Sequence, residues 1–245
     1  MTFVAVVAPP FEVPPVAGAA LLALADDELI VGHRHSEWLG LSPFLEEDLA
    51  MASIAQDELG HARALFALLW PNWADREAML VRRPAEEWRS GPLSEIATPT
   101  WETHLIRHLL HDVGEELCWY ELVRAHSGSV PGLEALATKA LAEERYHRRH
   151  AIDLVVRLGM GSAEAKGRLQ AALDRLWPVA VASIGDALVP GLTASIGAVC
   201  AKSGLTVRPD AAAGGLSDRT RRHPDSAEVL TSLVEVVTVD PAATW

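Results

Sequence analysis

Two short stretches of this sequence carry the residue types that could do chemistry. Ala55-Gln56-Asp57-Glu58-Leu59-Gly60-His61 holds an acid followed by Glu-x-x-His, and Ala142-Glu143-Glu144-Arg145-Tyr146-His147 repeats the arrangement. On a helix, residues three apart lie on one face about 5–6 Å apart at Cβ, so a Glu oxygen and a His nitrogen can reach the same metal ion. One copy is weak evidence, because Glu and His often meet at that spacing. Two copies, each inside an apolar stripe, point to a four-helix bundle that holds two metal ions.

The stripes are Met51, Ile54, Glu58, His61, Leu65, Leu68 and Ala137, Leu141, Glu144, His147, Ala151, Leu154. Each places a carboxylate among large apolar side chains at helical spacing. A lone carboxylate buried there costs several kcal/mol or takes up a proton. Pairs that converge on cations remove that cost. Glu28 sits on a third stripe of this kind, with Leu21, Leu24, Val31 and His35.

A fourth acid is expected between residues 101 and 126, where Asp112, Glu115 and Glu116 compete. The apolar positions Leu105, Leu109, Val113, Leu117 and Tyr120 favour Glu116. Internal symmetry favours Glu115, because Glu28 precedes Glu58 by about as many residues as Glu115 precedes Glu144. We take Glu115 as the expected ligand. His104, His108 and His111 share its face, either as a polar interior lining or as a solvated side. The expected metal ligands are thus Glu28, Glu58, His61, Glu115, Glu144 and His147.

Hard oxygen donors with one imidazole per metal suit iron or manganese better than zinc or copper(I). Two bridging carboxylates would hold the ions close enough to bind and split dioxygen, redox chemistry that side chains alone cannot perform. Asp57 and Glu143, each four residues before a ligand His, either accept the imidazole N–H or face water. No flavin, nicotinamide or phosphate-loop motif accompanies the site, so electrons for such chemistry would come from a separate reductase.

The elements that must position these residues are all helical, and the fold class is all-α. A first helix is expected from about Val16 to Leu39, and Ser42-Pro43 suits the start of a second that stops at Trp70-Pro71. A short amphipathic piece, Trp73 to Arg82, leads into a connection from Pro84 to Pro99. Helices from Trp101 to His126 and from Pro131 to Leu158 follow. A fifth is expected to open at Ser162 and continue through Trp177 to Pro178. After Gly185 the pattern weakens: Gly191, Gly204 and Pro209 to Gly215 mark loops, Arg219 to His223 is a basic cluster read first as a solvated loop and second as a contact for an acidic cofactor or partner, and Ser226 to Val237 reads as a last helix. The expected organisation is one domain over 1–245, with the bundle at about 16–158 and further helices and an irregular segment at 159–245.

Of the 245 residues 49% are apolar, yet no run approaches eighteen uncharged apolar residues, so no membrane span is expected. Met1 to Pro15 lacks a basic start, which argues against a secretory signal. Two cysteines, Cys118 and Cys200, suggest a reducing, cytoplasmic setting. A net charge of −12 argues against a nucleic-acid surface and leaves room for a basic partner protein.

Several of these residues together resemble the phenylacetyl-CoA epoxidase family, the multicomponent ring-1,2-epoxidases of aerobic phenylacetate breakdown. Ser36-Glu37-Trp38-Leu39-Gly40, Pro43-x-Leu45-Glu46-x-Asp48-Leu49-Ala50, Asp57-x-Leu59-Gly60-x-Ala62-Arg63 and Glu144-Arg145-Tyr146-His147 carry the likeness, with Arg157-Leu158-Gly159, Leu176-Trp177 and Trp245. It runs from about residue 20 to 245 and is closest to the family's C subunits. The resemblance implies a ferritin-like bundle paired with a paralogous A subunit, which carries the di-iron centre and binds the CoA thioester. It implies a mainly structural role for the C subunit, which has usually lost several ligands. This sequence departs from that pattern, because all six ligand positions are filled. Three readings follow: an ancestral site retained, metal bound without turnover, or a chain that is its own oxygenase. A stand-alone ferroxidase of rubrerythrin or ferritin type is the alternative, and a metal-free scaffold is the third. The missing CxxC module and the long tail after Gly185 weigh against the ferroxidase.

Overall fold

A computed structural model describes residues 13–72, 76–77, 79–80, 82–207, 219 and 222–240. Four long helices form the frame: α1 (Pro15–Ser36), α2 (Leu45–Leu69), α4 (Trp101–His126) and α5 (Leu133–Gly159). Between α2 and α4 a crossover contains a single helical turn, α3 (Pro92–Glu95). α1 packs lengthwise on α2, and α4 on α5; α1–α4 and α2–α5 contacts join the two pairs. The chain folds as an all-α, ferritin-like four-helix bundle with additional C-terminal helices. α6 (Ala163–Ser183) and α7 (Val189–Ser203) cover the outer side of α4 and α5, and α8 (Ser226–Leu233) and α9 (Glu235–Val239) follow.

Helix ends follow local chemistry. α1 stops three residues earlier than expected, and Ser42 does not cap α2. Phe44 occupies the cap position with no side-chain bond. The relation is inverted: Asp48, in the first turn of α2, accepts hydrogen bonds from the backbone N–H groups of Gly40 and Ser42, at 2.9 and 3.2 Å. An acid there also suits the positive end of the helix dipole. α5 begins at Leu133 rather than Pro131. At the start of α6 the Ser162 side chain accepts from the Ala165 N–H at 3.1 Å, as expected of a cap.

Two sequence breakers do not break helices. α6 runs through Pro178 to Ser183. Pro178 gives up one backbone hydrogen bond, but Leu176, Trp177, Ala180 and Val181 all bury into one core, and that burial prevails. Gly191 lies in the first turn of α7 rather than in a loop. A Cβ there would sit 3.3 Å from the Leu117 side chain, so the missing side chain lets α7 approach α4. Gly204, with φ +69°, does end α7 in the left-handed region that glycine favours. The expected last helix is two pieces, broken at Val234.

Ion pairs pin the crossover and the C-terminal segment to α1. Arg83 pairs with Asp26, and the Arg89 N–H donates to Asp26 at 2.6 Å. Asp27 accepts from the Gly91 N–H and Ser94 Oγ at 2.6 and 2.7 Å and pairs with Arg219. Arg222 pairs with Glu95 at 2.6 Å. The basic cluster expected to face solvent therefore turns inward at Arg219 and Arg222, because Asp27 and Glu95 are buried acids that need cations. The expectations for residues 1–12, Trp73–Asp75, 209–215 and Trp245 lie outside the described residues; Arg76, Glu77, Met79 and Leu80 within the expected amphipathic piece are helical.

Gly159 sets the approach of α5 to α7. A Cβ there would fall 2.5 Å from the Ser203 carbonyl oxygen, which cannot move without its helix. Gly159→Ala should cost about 1–3 kcal/mol of stability by overpacking. Gly197→Ala, in open space within α7, should add up to about 1 kcal/mol by helix propensity. Urea denaturation of both variants checks the pair, and equal effects would contradict the packing account.

Candidate metal centre

The six expected ligands converge in the middle of the bundle. Glu28 comes from α1, Glu58 and His61 from α2, Glu115 from α4, and Glu144 and His147 from α5; all are buried. Two groups have ligand atoms lying within 4.8 Å of one another: Glu28, Glu58, His61 and Glu115, and Glu58, Glu144 and His147. Glu58 belongs to both and stands where a bridging carboxylate would.

The three competing acids of α4 separate cleanly. The inward stripe of α4 is Leu105, His108, Asp112, Glu115, Trp119 and Leu122, all buried. Tyr120, which pulled the apolar reading towards Glu116, is 54% exposed. Glu116 turns away to pair with Arg148 at 2.6 Å. Asp112 is buried but belongs to neither ligand group. His104, His108 and His111 line the interior rather than a solvated side.

Both ligand histidines present Nδ1 inward. His61 Nδ1 lies 3.1 Å from Glu28 Oε2 and 3.5 Å from Glu144 Oε1. His147 Nδ1 lies 3.2 Å from Glu144 Oε1 and 3.5 Å from Glu58 Oε1. Each Nε2 points outward to a carboxylate, and the pairing crosses between helices. Glu143 takes His61 at 2.8 Å, and Asp57 takes His147 at 3.2 Å. Spacing along one helix had suggested an acid beside its own histidine; instead each serves the imidazole of the facing helix. An Nε2–H held this way fixes the ring and leaves Nδ1 free for a cation.

One neighbour was not evident from the sequence, and a second was expected only to share the face of Glu115. The Trp119 indole N–H donates to Glu28 Oε1 at 3.1 Å and Glu115 Oε1 at 3.2 Å. His111 Nε2 lies 2.9 Å from Glu115 Oε2. Both sit four residues from Glu115, one helical turn to either side, which is the only sequence signal that could have found them.

Without a cation this cluster is electrostatically costly. Burial, then the nearby Glu115 and Glu58 charges, push the Glu28 carboxyl well above its ordinary range. Burial with the same two neighbours does so for Glu144. Burial acts upward on Glu115 too, but hydrogen bonds with Glu28 and His111 prevail and hold it at about 2. Burial acts downward on His111, yet Glu115 raises it to about 9. His147, likewise opposed by burial, is raised by Glu144 and Glu58 to about 12.

The residues fit a pair of hard cations. Both oxygens of Glu58, both of Glu144, one of Glu115 and His147 Nδ1 are buried with no hydrogen-bond partner. Acceptors gathered without donors in a water-poor interior are the arrangement a cation satisfies. Carboxylates with one imidazole in each group match iron or manganese.

An all-α bundle with two buried Glu-x-x-His pairs and two further glutamates defines a ferritin-like scaffold whose buried acids and imidazoles could hold a metal ion. The chain belongs to the family described as Phenylacetic acid catabolic protein, which matches residues 16–187. It is 30% identical over 161 residues to the C subunit of 1,2-phenylacetyl-CoA epoxidase from Escherichia coli (strain K12). That match covers 65% of this chain and 64% of the relative, just under two thirds of its length.

The pKa directions fix a pH dependence for the metal-free protein. His111 is raised from 6.5 to about 9, so across that window the folded state keeps a proton the unfolded chain has lost. Stability is fully present below 6.5 and is lost as pH rises; the raised Glu28 and Glu144 act in the same sense. Urea denaturation in chelator should show a loss of at least about 2–3 kcal/mol between pH 6.5 and 9, the share of His111 alone at about 1.4 kcal/mol per unit, with His147 adding to it in the same sense. A flat or rising profile would contradict these assignments.

Proposed function

We propose that this chain is a subunit of a multicomponent di-iron phenylacetyl-CoA 1,2-epoxidase of aerobic phenylacetate catabolism. In this reading it is mainly the structural partner of a paralogous, catalytic A subunit, and it keeps a metal site of its own. The membership in the phenylacetic acid catabolic family and the likeness to the bacterial C subunit support the complex. The filled ligand set supports the metal. The single observation that carries it is Glu58, shared between two convergent ligand groups and left with both oxygens unpartnered.

Glu28, Glu58, His61, Glu115, Glu144 and His147 would hold the ions, iron or an iron–manganese pair. Such a pair, when bound, supplies dioxygen chemistry that side chains lack. The chain's own residues do the rest. Asp57 and Glu143 orient the imidazoles, Trp119 steadies Glu28 and Glu115, and the flanking apolar layers exclude water. Electrons would come from a separate flavin or iron–sulfur reductase subunit, and phenylacetyl-CoA would be bound by the complex.

The partner is a protein, and the site sits inside one ferritin-like domain spanning residues 1–245. Continuous packing of α6 and α7 on α4 and α5 supports that single unit. Among the described residues no helix is long and apolar enough to cross a membrane. The unpaired cysteines Cys118 and Cys200 support our reading of a cytoplasmic assembly, and the net charge of −12 is the argument against a nucleic-acid partner.

Glu58→Ala or His147→Ala should abolish iron loading while the helical CD signal stays intact. The metal-free Glu58→Ala variant should be as stable as the parent or more so, because it deletes a buried carboxylate that repels Glu28 and Glu144, whereas metal-free His147→Ala should be less stable, because it removes the cation that Glu144 and Glu58 hold. Unchanged iron content in both would remove the site. Asp57→Asn and Glu143→Gln should weaken iron binding about 10–100-fold without abolishing it. Co-purification with a paralogous helical subunit should follow co-expression. A lone homo-oligomer that rapidly oxidises ferrous iron would favour the ferroxidase instead.

A further inference from the structure

A second set of buried polar groups lies between α2, α4 and α5 that none of the chemistry above uses. Glu47, in the first turn of α2, borders a surface depression with Tyr146, Arg149, Asp153 and Arg157. Its Oε2 lies 3.0 Å from His150 Nε2. His150 Nδ1 lies 3.4 Å from His108 Nε2, and His108 Nδ1 lies 3.1 Å from Asp112 Oδ1. His108 and Asp112 have no exposed surface. Four groups thus run in line from a surface acid to a buried one: the two outer links are hydrogen bonds, and the inner one is a close contact in which His108 Nδ1 and the Asp112 carboxylate have no other partner.

A neutral imidazole offers one donor and one acceptor, so such a chain has a direction that reverses when the rings exchange tautomers. Burial raises the Glu47 carboxyl, and burial together with His108 lowers His150 to about 4. Both shifts favour the uncharged forms of Glu47 and His150. Arg107, fully buried on the same helix, is lowered by burial to about 10 and is still a cation near Asp112. The remaining charged or titratable neighbours are Glu46 and Arg157 beside Glu47, Asp153 and His147 beside His150, His104 and, edge-on at 5.0 Å, His35 beside His108, and His111 beside Asp112. Asp112 lies three residues before Glu115, so the inner end stands one helical turn from the carboxylate cluster.

We propose that Glu47, His150, His108 and Asp112 form a proton relay between solvent and the bundle interior. At rest Glu47 donates to His150 Nε2, His150 Nδ1–H donates to His108 Nε2, and His108 Nδ1–H donates to the Asp112 carboxylate. Transfer moves one proton along each of the two hydrogen bonds and one across the His108–Asp112 contact. An O–H bond breaks at Glu47 and another forms at Asp112; each ring gains a proton at Nε2 and loses one at Nδ1. No oxidant or reductant is involved. Use of the relay to supply or remove protons at the carboxylate cluster rests on the metal reading above, whereas the relay itself does not.

The test is the tautomeric state of both rings in the full, metal-free chain, read by NMR of 15N-labelled histidine. The parent should show His108 and His150 both protonated on Nδ1. Asp112→Asn replaces the inner acceptor with an amide that donates to His108 Nδ1, and both rings should switch to Nε2–H. His150 does not touch residue 112, so a merely structural network gives it no reason to respond. The proposal is overturned if His150 keeps its tautomer, whether or not His108 changes. Should Asp112→Asn not fold, Glu47→Gln at the surface end serves, with Mn²⁺ uptake and proton release followed in the same mixing experiment. Proton release should lag behind uptake at least tenfold, and release that keeps pace overturns the relay. Failure of the parent to take up Mn²⁺ sinks the metal reading alone and leaves the tautomer result to decide.

Discussion

Four carboxylates brought together inside a bundle that excludes water are the constraint on which the rest of this structure turns. Each would be solvated and independent at the surface. In the core they repel, and Glu28 and Glu144 are driven towards their protonated forms while Glu115 is held ionised by its donors. Trp119, His111 and the inward Nδ1 atoms of His61 and His147 surround the acids with the available positive or donating groups. They do not satisfy all of them, and both oxygens of Glu58 stay without a donor. A stable fold built around that deficit calls for cations.

The outer shell of the molecule fits the same need. Asp26, Asp27 and Glu28 are consecutive, and successive residues on a helix turn by about 100°, so the three acids reach different surroundings. Glu28 enters the bundle. Asp26 and Asp27 face the crossover, where Arg83, Arg219 and the backbone of Arg89 and Gly91 meet them. These pairs hold the long connection and the C-terminal segment against α1 and fix the helix that carries Glu28. On the other side α6 and α7 bury Leu105, Leu109 and Val113 of α4, so α4 is packed on two faces and Glu115 has little freedom to swing out.

Much of this was legible in the sequence because two Glu-x-x-His copies on apolar stripes point to one arrangement, a helical bundle closed around metal. The four long helices were legible from the same stripes. Glu115 was harder. Its helix turns His108, Asp112 and Glu115 inward at positions where a bundle normally places leucine, so hydrophobic periodicity pointed to Glu116, and only the matching spacing of the two halves pointed to Glu115. The crossed pairing of Asp57 with His147 and of Glu143 with His61 was not legible, since it depends on which helices face each other. Pro178 and Gly191 read as breakers because their local preferences were visible, whereas the core that overrides them forms between residues distant in sequence. The inward turn of Arg219 and Arg222 was hidden likewise, because their partners lie more than 120 residues away.

The central claim is that buried acids and imidazoles hold cations. The most direct measurement is an anaerobic calorimetric titration of the metal-free parent chain with ferrous iron, with proton release recorded in buffers of different ionisation heat. The account predicts about two ions bound per chain, matching the two ligand groups, with protons expelled as they enter. No saturable binding, or binding that displaces no protons, would contradict it.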